Sequence, residues 1–248
     1  MVSRKSLRWL VLGEDGHGTN EMPRTVADMV CAAAAANRPV TVGVEFRTRN
    51  QPALDAYMAS DGGTTASAEL LAAQMWDADW ADGKSSLTML VLFEWLRTQR
   101  RNGVVADVVA FDADMSRDGT DRERQMAQRL KAKAPSGMGI FIVLTGSFHA
   151  RKRLSDAETT PFPPMATMLP RAQTVSLRVQ GNGGRIWACT QRGCGEQDAN
   201  RSGGTRRGLS LRKLENGSYD GAYDLGLPVT PSPPVKQKSP GDGPISVN

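Results

Sequence analysis

The chain has 248 residues, is 40% hydrophobic and 23% charged, and carries a formal charge of +5 at pH 7. That length supports one sizeable domain with its own core, and the composition is that of an ordinary globular protein. The basic excess is scattered over Arg100, Arg101, Arg151, Arg153, Arg206 and Arg207 with no interleaved aromatics, which argues against nucleic acid as a partner, and no apolar stretch approaches the ~20 residues of a membrane span.

The start, Met1 to Trp9, is basic, but the apolar run behind it is too short for a signal peptide. The expectation is a cytoplasmic protein, or a periplasmic or secreted one if a signal has been removed. Leu7–Leu12 reads as a buried strand that breaks at Gly13. Thr19 or Asn20 is the natural N-cap for an alanine-rich helix from about Glu21 to Asn37, with Glu21 and Pro23 in its opening turn. Val40–Glu45 is a second strand, apolar up to a terminal carboxylate. Pro52–Ser60 and Ala66–Trp76 read as helices split by Asp61-Gly62-Gly63. A polar loop from Asp77 to Lys84 leads to a helix over Ser86–Arg101, so that Asp82-Gly83-Lys84-Ser85-Ser86 reads as loop and N-cap. Trp76 and Trp80 flank this acidic loop and suit core packing better than a pocket wall.

Val104–Phe111 is a third strand, ending in Asp112 and Asp114. Asp121–Ala134 reads as a helix and Met138–Thr145 as the fourth strand. This alternation predicts an α/β fold in three layers around a mostly parallel central sheet. Right-handed crossovers then put the four strand ends on one edge, where open α/β sheets keep their ligands. Beyond Pro161 the pattern changes. Met165–Leu169 reads as a short helix, and Thr174–Val179 with Arg185–Ala188 as strands around Gly181-Asn182-Gly183-Gly184, a C-terminal β-hairpin region. Residues 191–207 look like a mobile loop, and Leu209–Leu214 and Tyr219–Leu225 suit a return to the sheet. Residues 1–227 are read as a single domain, and the Pro/Gly/Ser-rich 228–248 as a disordered tail.

Cys31 falls on an apolar helix face. Cys189 and Cys194 form a C-x4-C pair that suits a loop disulfide or two free thiols; a zinc site would need two more ligands. The chain has only two histidines, His17 and His149, and each follows an apolar strand. With Glu14 and Glu45 they fall at predicted strand ends on one edge. Two carboxylates and two imidazoles suit either a hydrolase in which an imidazole takes a proton from water, or a divalent-metal site with the same four side chains as ligands. Each alone also suits a plain structural role, Glu45 pairing with Arg47 for example. Glu21 and Arg122 are further candidates to contact substrate from the first turns of their helices. Arg124 suits a solvated face. The sequence lacks a Gly-x-Ser-x-Gly elbow, and Gly13-x-x-Gly16-x-Gly18 lacks the order of a dinucleotide fingerprint and a Walker lysine.

At these same residues the chain resembles a known superfamily. Gly13-Glu14-Asp15-Gly16-His17-Gly18-Thr19-Asn20-Glu21, then Val44-Glu45, then Gly146-Ser147-Phe148-His149-Ala150 resemble the erythromycin esterases, the ChaN-like haem-uptake proteins of bacteria and the Tiki/TraB proteases, and the type as a whole looks most like the ChaN-like proteins. The spacing of Glu14 and His17 is like that of the esterases, whereas many ChaN-like relatives have one residue fewer. Gly146-x-x-His149 is similar to a Tiki motif, and Arg122-x-x-x-Met126 resembles a helix-opening arginine of these families. The likeness spans about Leu7 to His149. It implies hydrolysis of an ester or amide in a small-molecule or peptide substrate, with His17 activating water, Glu14 orienting it, and Glu45 and His149 completing the site. The alternative it implies is a binding protein without catalysis, with a divalent metal ion or, second, haem as cofactor.

Overall fold

A computed structural model describes residues 1–77, 83–154, 162–190 and 193–236. The first apolar run forms strand β1, Trp9–Glu14, every residue of it buried. Helix α1 (Glu21–Ala35) follows, its first turn capped by Thr19, whose Oγ1 accepts from Met22 N at 3.3 Å. Strand β2 (Val40–Arg47) comes next, then helices α2 (Gln51–Ala59), α3 (Thr64–Ala72) and α4 (Leu87–Arg101). Ser86 caps α4 through Met89 N, as its place before the periodic run predicts. Strand β3 (Val105–Asp112), helix α5 (Gly119–Ala132) and strand β4 (Ile140–Gly146) complete the alternating half.

Seven strands form one sheet, in the order β3-β2-β4-β1-β5-β9-β8, where β5 is Thr174–Gln180, β8 Gly208–Ser210 and β9 Gly221–Asp224. Every neighbouring pair is parallel except β8 with β9. Successive side chains on each strand go to opposite faces and fill two cores. Leu10, Leu12, Val42, Val44 and Ile142 pack against Val26 and Val30 of α1 and Phe93 and Leu96 of α4. Trp9, Val11, Phe141 and Val143 pack against Met126 and Leu130 of α5 on the other face. Burial on both faces is why these strands read as continuous apolar runs. The result is the three-layer, mostly parallel α/β fold that the alternation predicts.

The C-terminal third departs from expectation in three places, and Cys31 of α1 is a fourth departure. The Gly181–Gly184 turn does not fold β5 back on the next strand: β5 joins the sheet beside β1, and the hairpin pairs β6 (Arg185–Thr190) with β7 (Gly193–Asp198). Part of the expected mobile loop is thus a strand, and Cys189 and Cys194, opposite one another in this hairpin, are joined by a disulfide. Cys31 is exposed, outside the apolar stripe of α1. The expected tail starts too early: Val229 and Pro234 are buried, and Ser232 is fully so. There Thr230 donates to Glu21 twice, Ser232 N donates to Gly18 O, and Leu87 N donates to Pro233 O. Apolar burial and backbone pairing outweigh the loop-like composition of this stretch; residues 237–248 lie outside the described residues.

Candidate active site

β4 lies between β1 and β2, and the register decides what meets at its end. Glu14 pairs with Gly146, and Val44 pairs with Leu144, so Glu45 stands level with Thr145. Carboxylates at the end of β1 and near the end of β2 therefore flank a strand ending in two small residues. A Cβ built on Gly146 would sit 3.6 Å from His17 Nε2, 3.6 Å from His149 Cδ2 and 3.7 Å from Glu45 Oε2. Gly146 is the floor on which the three side chains converge.

His17 reaches it from the turn after β1. Its Nδ1 is 2.7 Å from Glu14 Oε1, which leaves Nε2 toward Gly146. The turn is held from three sides. Trp187 N and Ser232 N both donate to Gly18 O, and Gly18, at φ +74°, packs on Gly83, at φ +89°. A Cβ on Gly83 would lie 2.4 Å from Gly18 N, so the contact needs two glycines. It also brings Lys84 to the site, where Nζ lies 3.1 Å from Glu45 Oε1.

Glu45 is 5% exposed and saturated with donors. Oε2 accepts from Thr145 Oγ1 at 2.6 Å and Gly146 N at 2.7 Å; Oε1 takes Lys84 and, at 3.3 Å, Arg122. Arg122 also grips Asp112 with two bonds of 2.8 and 2.9 Å. His149 Nε2 is 3.6 Å from Glu45 Oε1, and its Nδ1 is 2.7 Å from Glu123 Oε1, a close ion-pair contact off the line of a well-aligned hydrogen bond. Glu123, 1% exposed, is fixed by Met165 N at 2.7 Å. Two imidazoles, each backed by a buried carboxylate, thus flank a third carboxylate.

Burial opposes charge throughout, and the pairing decides the outcome. Desolvation alone would lower His17, but the Glu14 and Glu45 carboxylates outweigh it and raise its pKa to about 9. Glu14 is raised above the ordinary carboxylate value by burial, against the pull of His17. Burial would also raise Glu45; Lys84, His149 and His17 together hold it well below that range.

The structure therefore brings Glu14, His17, Glu45, His149 and Arg122 together. Glu21 is not part of the group: its carboxylate holds Thr230 of the C-terminal strap. Arg124 pairs with Asp121 on the outer face of α5. Trp76 is buried against Phe46 and Phe93, and Trp80 lies outside the described residues. Sequence reasoning missed Glu123 and Lys84. Glu123 shares the buried stripe of Met126, Ala127 and Leu130 on α5, and an acid at an apolar-stripe position was the available signal. Lys84 carries no local signal, because only the Gly18–Gly83 contact places it.

The four side chains do not fit the divalent-metal alternative. Among the described residues no group of three or more His, Cys, Asp or Glu side chains is placed to hold an ion. Glu45 is filled by two cations and two neutral donors. Tyrosine ligation of haem is not on offer at this cleft: Tyr57 OH donates to Glu94, Tyr219 OH to Ser147 O, and none of the three tyrosines lines it.

Fold and site define an open, mostly parallel α/β protein with a histidine–carboxylate centre at the carboxyl edge of its sheet. Neither a protein-family model nor a curated protein matches the sequence. Solved structures do match the fold. A succinoglycan biosynthesis protein aligns with a TM-score of 0.67 at 9% identity, over 94% of this chain and 90% of that one. A mutant of the erythromycin esterase EreC in its open conformation aligns at 0.66 and 10% identity, over 95% and 94%. A protein from Bacillus cereus aligns at 0.62 and 12% identity, over 94% and 91%. The chain has the fold that these proteins share, and it is the fold implied by the resemblance at Glu14, His17, Glu45 and His149. No helix among the described residues is long and apolar enough to cross a membrane.

Proposed function

We propose that the protein hydrolyses an ester or amide bond of a small-molecule or peptide substrate, with His17 as general base. One observation carries the reading: Nδ1 of His17 is fixed on Glu14 while Nε2 is left toward a cleft of about 1000 Å³ that Glu45 and His149 also line. In that position Nε2 takes a proton from water as the water oxygen bonds to the substrate carbonyl. Glu14 stabilises the imidazolium that forms and holds the ring's orientation. Lys84 and Arg122, held by Glu45 on the wall of the same cleft, are the cations available to stabilise the negative charge that develops on the carbonyl oxygen. When the bond to the leaving oxygen or nitrogen breaks, the proton on His17 passes to that atom. Water and substrate are then fully accounted for, with the base regenerated. The fold shared with an erythromycin esterase supports this reading.

The test is a screen of 4-nitrophenyl esters and peptide amides with the wild type beside His17→Ala. Loss of a general base lowers turnover by roughly 10²–10⁴-fold. A His17→Ala protein that keeps its thermal transition and full activity overturns the assignment, as does a wild type inert toward both substrate classes.

A further inference from the structure

Every acidic side chain on the cleft wall is engaged. Glu45 has Lys84 and Arg122, Asp112 has Arg122, and Asp77 has Lys236. Asp114 accepts from Thr48 Oγ1 at 2.5 Å and from Arg49 N at 2.7 Å. Two cations on the same wall are not engaged. Arg47, at the end of β2, and Arg49, in the 3-10 turn Thr48–Asn50, are exposed and line the cleft, and neither guanidinium has an ion-pair or hydrogen-bond partner among the described residues.

Their backbone is nonetheless fixed. The β2–β3 register slips between Val44 and Arg47, the irregularity by which a strand end re-aims its side chains. Asp114 then pins the turn through Thr48 and the amide of Arg49. Two guanidinium forks on a pinned base, at the wall of a cleft whose own carboxylates are already satisfied, suit an anion brought by a ligand.

We propose that Arg47 and Arg49 form an anion subsite, and that the substrate carries a carboxylate or phosphate group away from its scissile bond. This rests on the hydrolase reading for the word substrate; the subsite itself is a binding property that stands or falls separately. It gives the turn Arg47–Asn50 a task in selecting the substrate, apart from the chemistry at His17.

Isothermal titration calorimetry with glutarate and, separately, inorganic phosphate tests the subsite on the wild type, the Arg47→Gln/Arg49→Gln double variant and Arg24→Gln, an exposed arginine of α1 as control. We expect binding of at least one anion by the wild type and by Arg24→Gln, weakened roughly tenfold for each cleft arginine removed. Glutarate binding alone identifies a carboxylate ligand, phosphate binding alone a phosphate. Binding of neither anion, equal affinity in the double variant, or an equal loss in Arg24→Gln overturns the proposal. A kinetic arm compares mono-4-nitrophenyl glutarate with the uncharged 4-nitrophenyl pentanoate. A preference in kcat/KM for the anionic ester that disappears in the double variant supports the subsite, and a preference that survives there overturns it. Hydrolysis of neither ester counts against the hydrolase reading, while the calorimetry still decides the subsite.

Discussion

His17 Nδ1 lies 2.7 Å from Glu14 Oε1, so the last residue of β1 orients a ring carried by the turn that follows it. The pair is drawn from one local stretch, and both members are shielded: the His17 side chain is 18% exposed and that of Glu14 6%. A carboxylate at that distance in a medium less polar than water favours the imidazolium, and it does so strongly enough to reverse the effect of burial.

The first prediction is a titration. With only two histidines in the chain, the imidazole proton resonances are readily assigned from a His149→Gln variant. His17 should titrate at about 9. The acid limb of the pH–rate profile should follow the same group, activity rising as Nε2 loses its proton. In Glu14→Gln the largest favourable partner is gone while burial remains, so both the titration and the limb should move down. A limb that stays in place would detach the rate from His17.

Stability should follow with a defined sign. A histidine held at about 9 against its ordinary 6.5 contributes stability that is complete below 6.5 and is lost as the pH rises through 9. The unfolding free energy of the wild type should therefore fall between these values, by an amount on the order of 3 kcal/mol at most, and the thermal transition with it. Glu45 acts in the opposite direction. Its depressed value gives stability that is present above the ordinary carboxylate pKa and lost as the pH falls through the folded-state value. Glu45→Ala leaves Lys84, Arg122 and the Gly146 amide without that acceptor and should cost about 3–5 kcal/mol in chemical denaturation at neutral pH. Glu45→Gln, which keeps an acceptor oxygen for Thr145 and Gly146, should cost less and should flatten the acid-side loss.

What could be read from the chain and what could not divides along physical lines. Buried parallel strands announce themselves as apolar runs, and the side chain at the end of each run is the first to escape the core. Glu14, His17, Glu45 and His149 could therefore be placed on one edge before any coordinates. Lys84 and the strap 229–236 could not, because their positions depend on contacts between distant segments: Gly83 on Gly18, and Ser232 on Gly18 and Thr88. Composition misled at the strap for the same reason. Proline-rich chain is extended by default, and here an extended segment finds backbone partners on three sides. The β6–β7 hairpin was missed at its turn, since the glycines at 181–184 serve instead a close approach to Val229.

Glu123 gives a prediction about positioning. It reaches no part of the cleft wall, yet it holds His149 on one side and Met165 N on the other. Glu123→Gln keeps the shape and an acceptor for Met165 but removes the charge from behind the ring. If His149 serves the reaction, kcat should fall while KM changes little. Glu123→Asp, with the charge restored on a shorter arm, should recover part of the loss. A merely structural role would lower the thermal transition in each variant and leave kcat where it was.

The last prediction concerns the glycine pair. Gly83 needs a positive φ, and any side chain on it would press into the backbone of His17 and Gly18, the nearest atom at 2.4 Å. Gly83→Ala therefore carries a conformational penalty of about 1 kcal/mol together with a clash that only a shift of one segment relieves. The core faces are untouched by such a shift, so the fold should survive with a modest loss in the thermal transition. The site should not. Moving the turn draws Lys84 from Glu45 and displaces the loop that carries His17, and a misplacement of about 1 Å can lower the rate by roughly 10²-fold. Lys84→Met separates the two effects: it removes the ammonium and leaves the glycine contact intact. If the loss in Gly83→Ala greatly exceeds that in Lys84→Met, the contact acts mainly through the orientation of His17; if the two losses are equal, it acts by delivering Lys84. Full activity in Gly83→Ala would show that the close approach of these loops is not needed to hold the site.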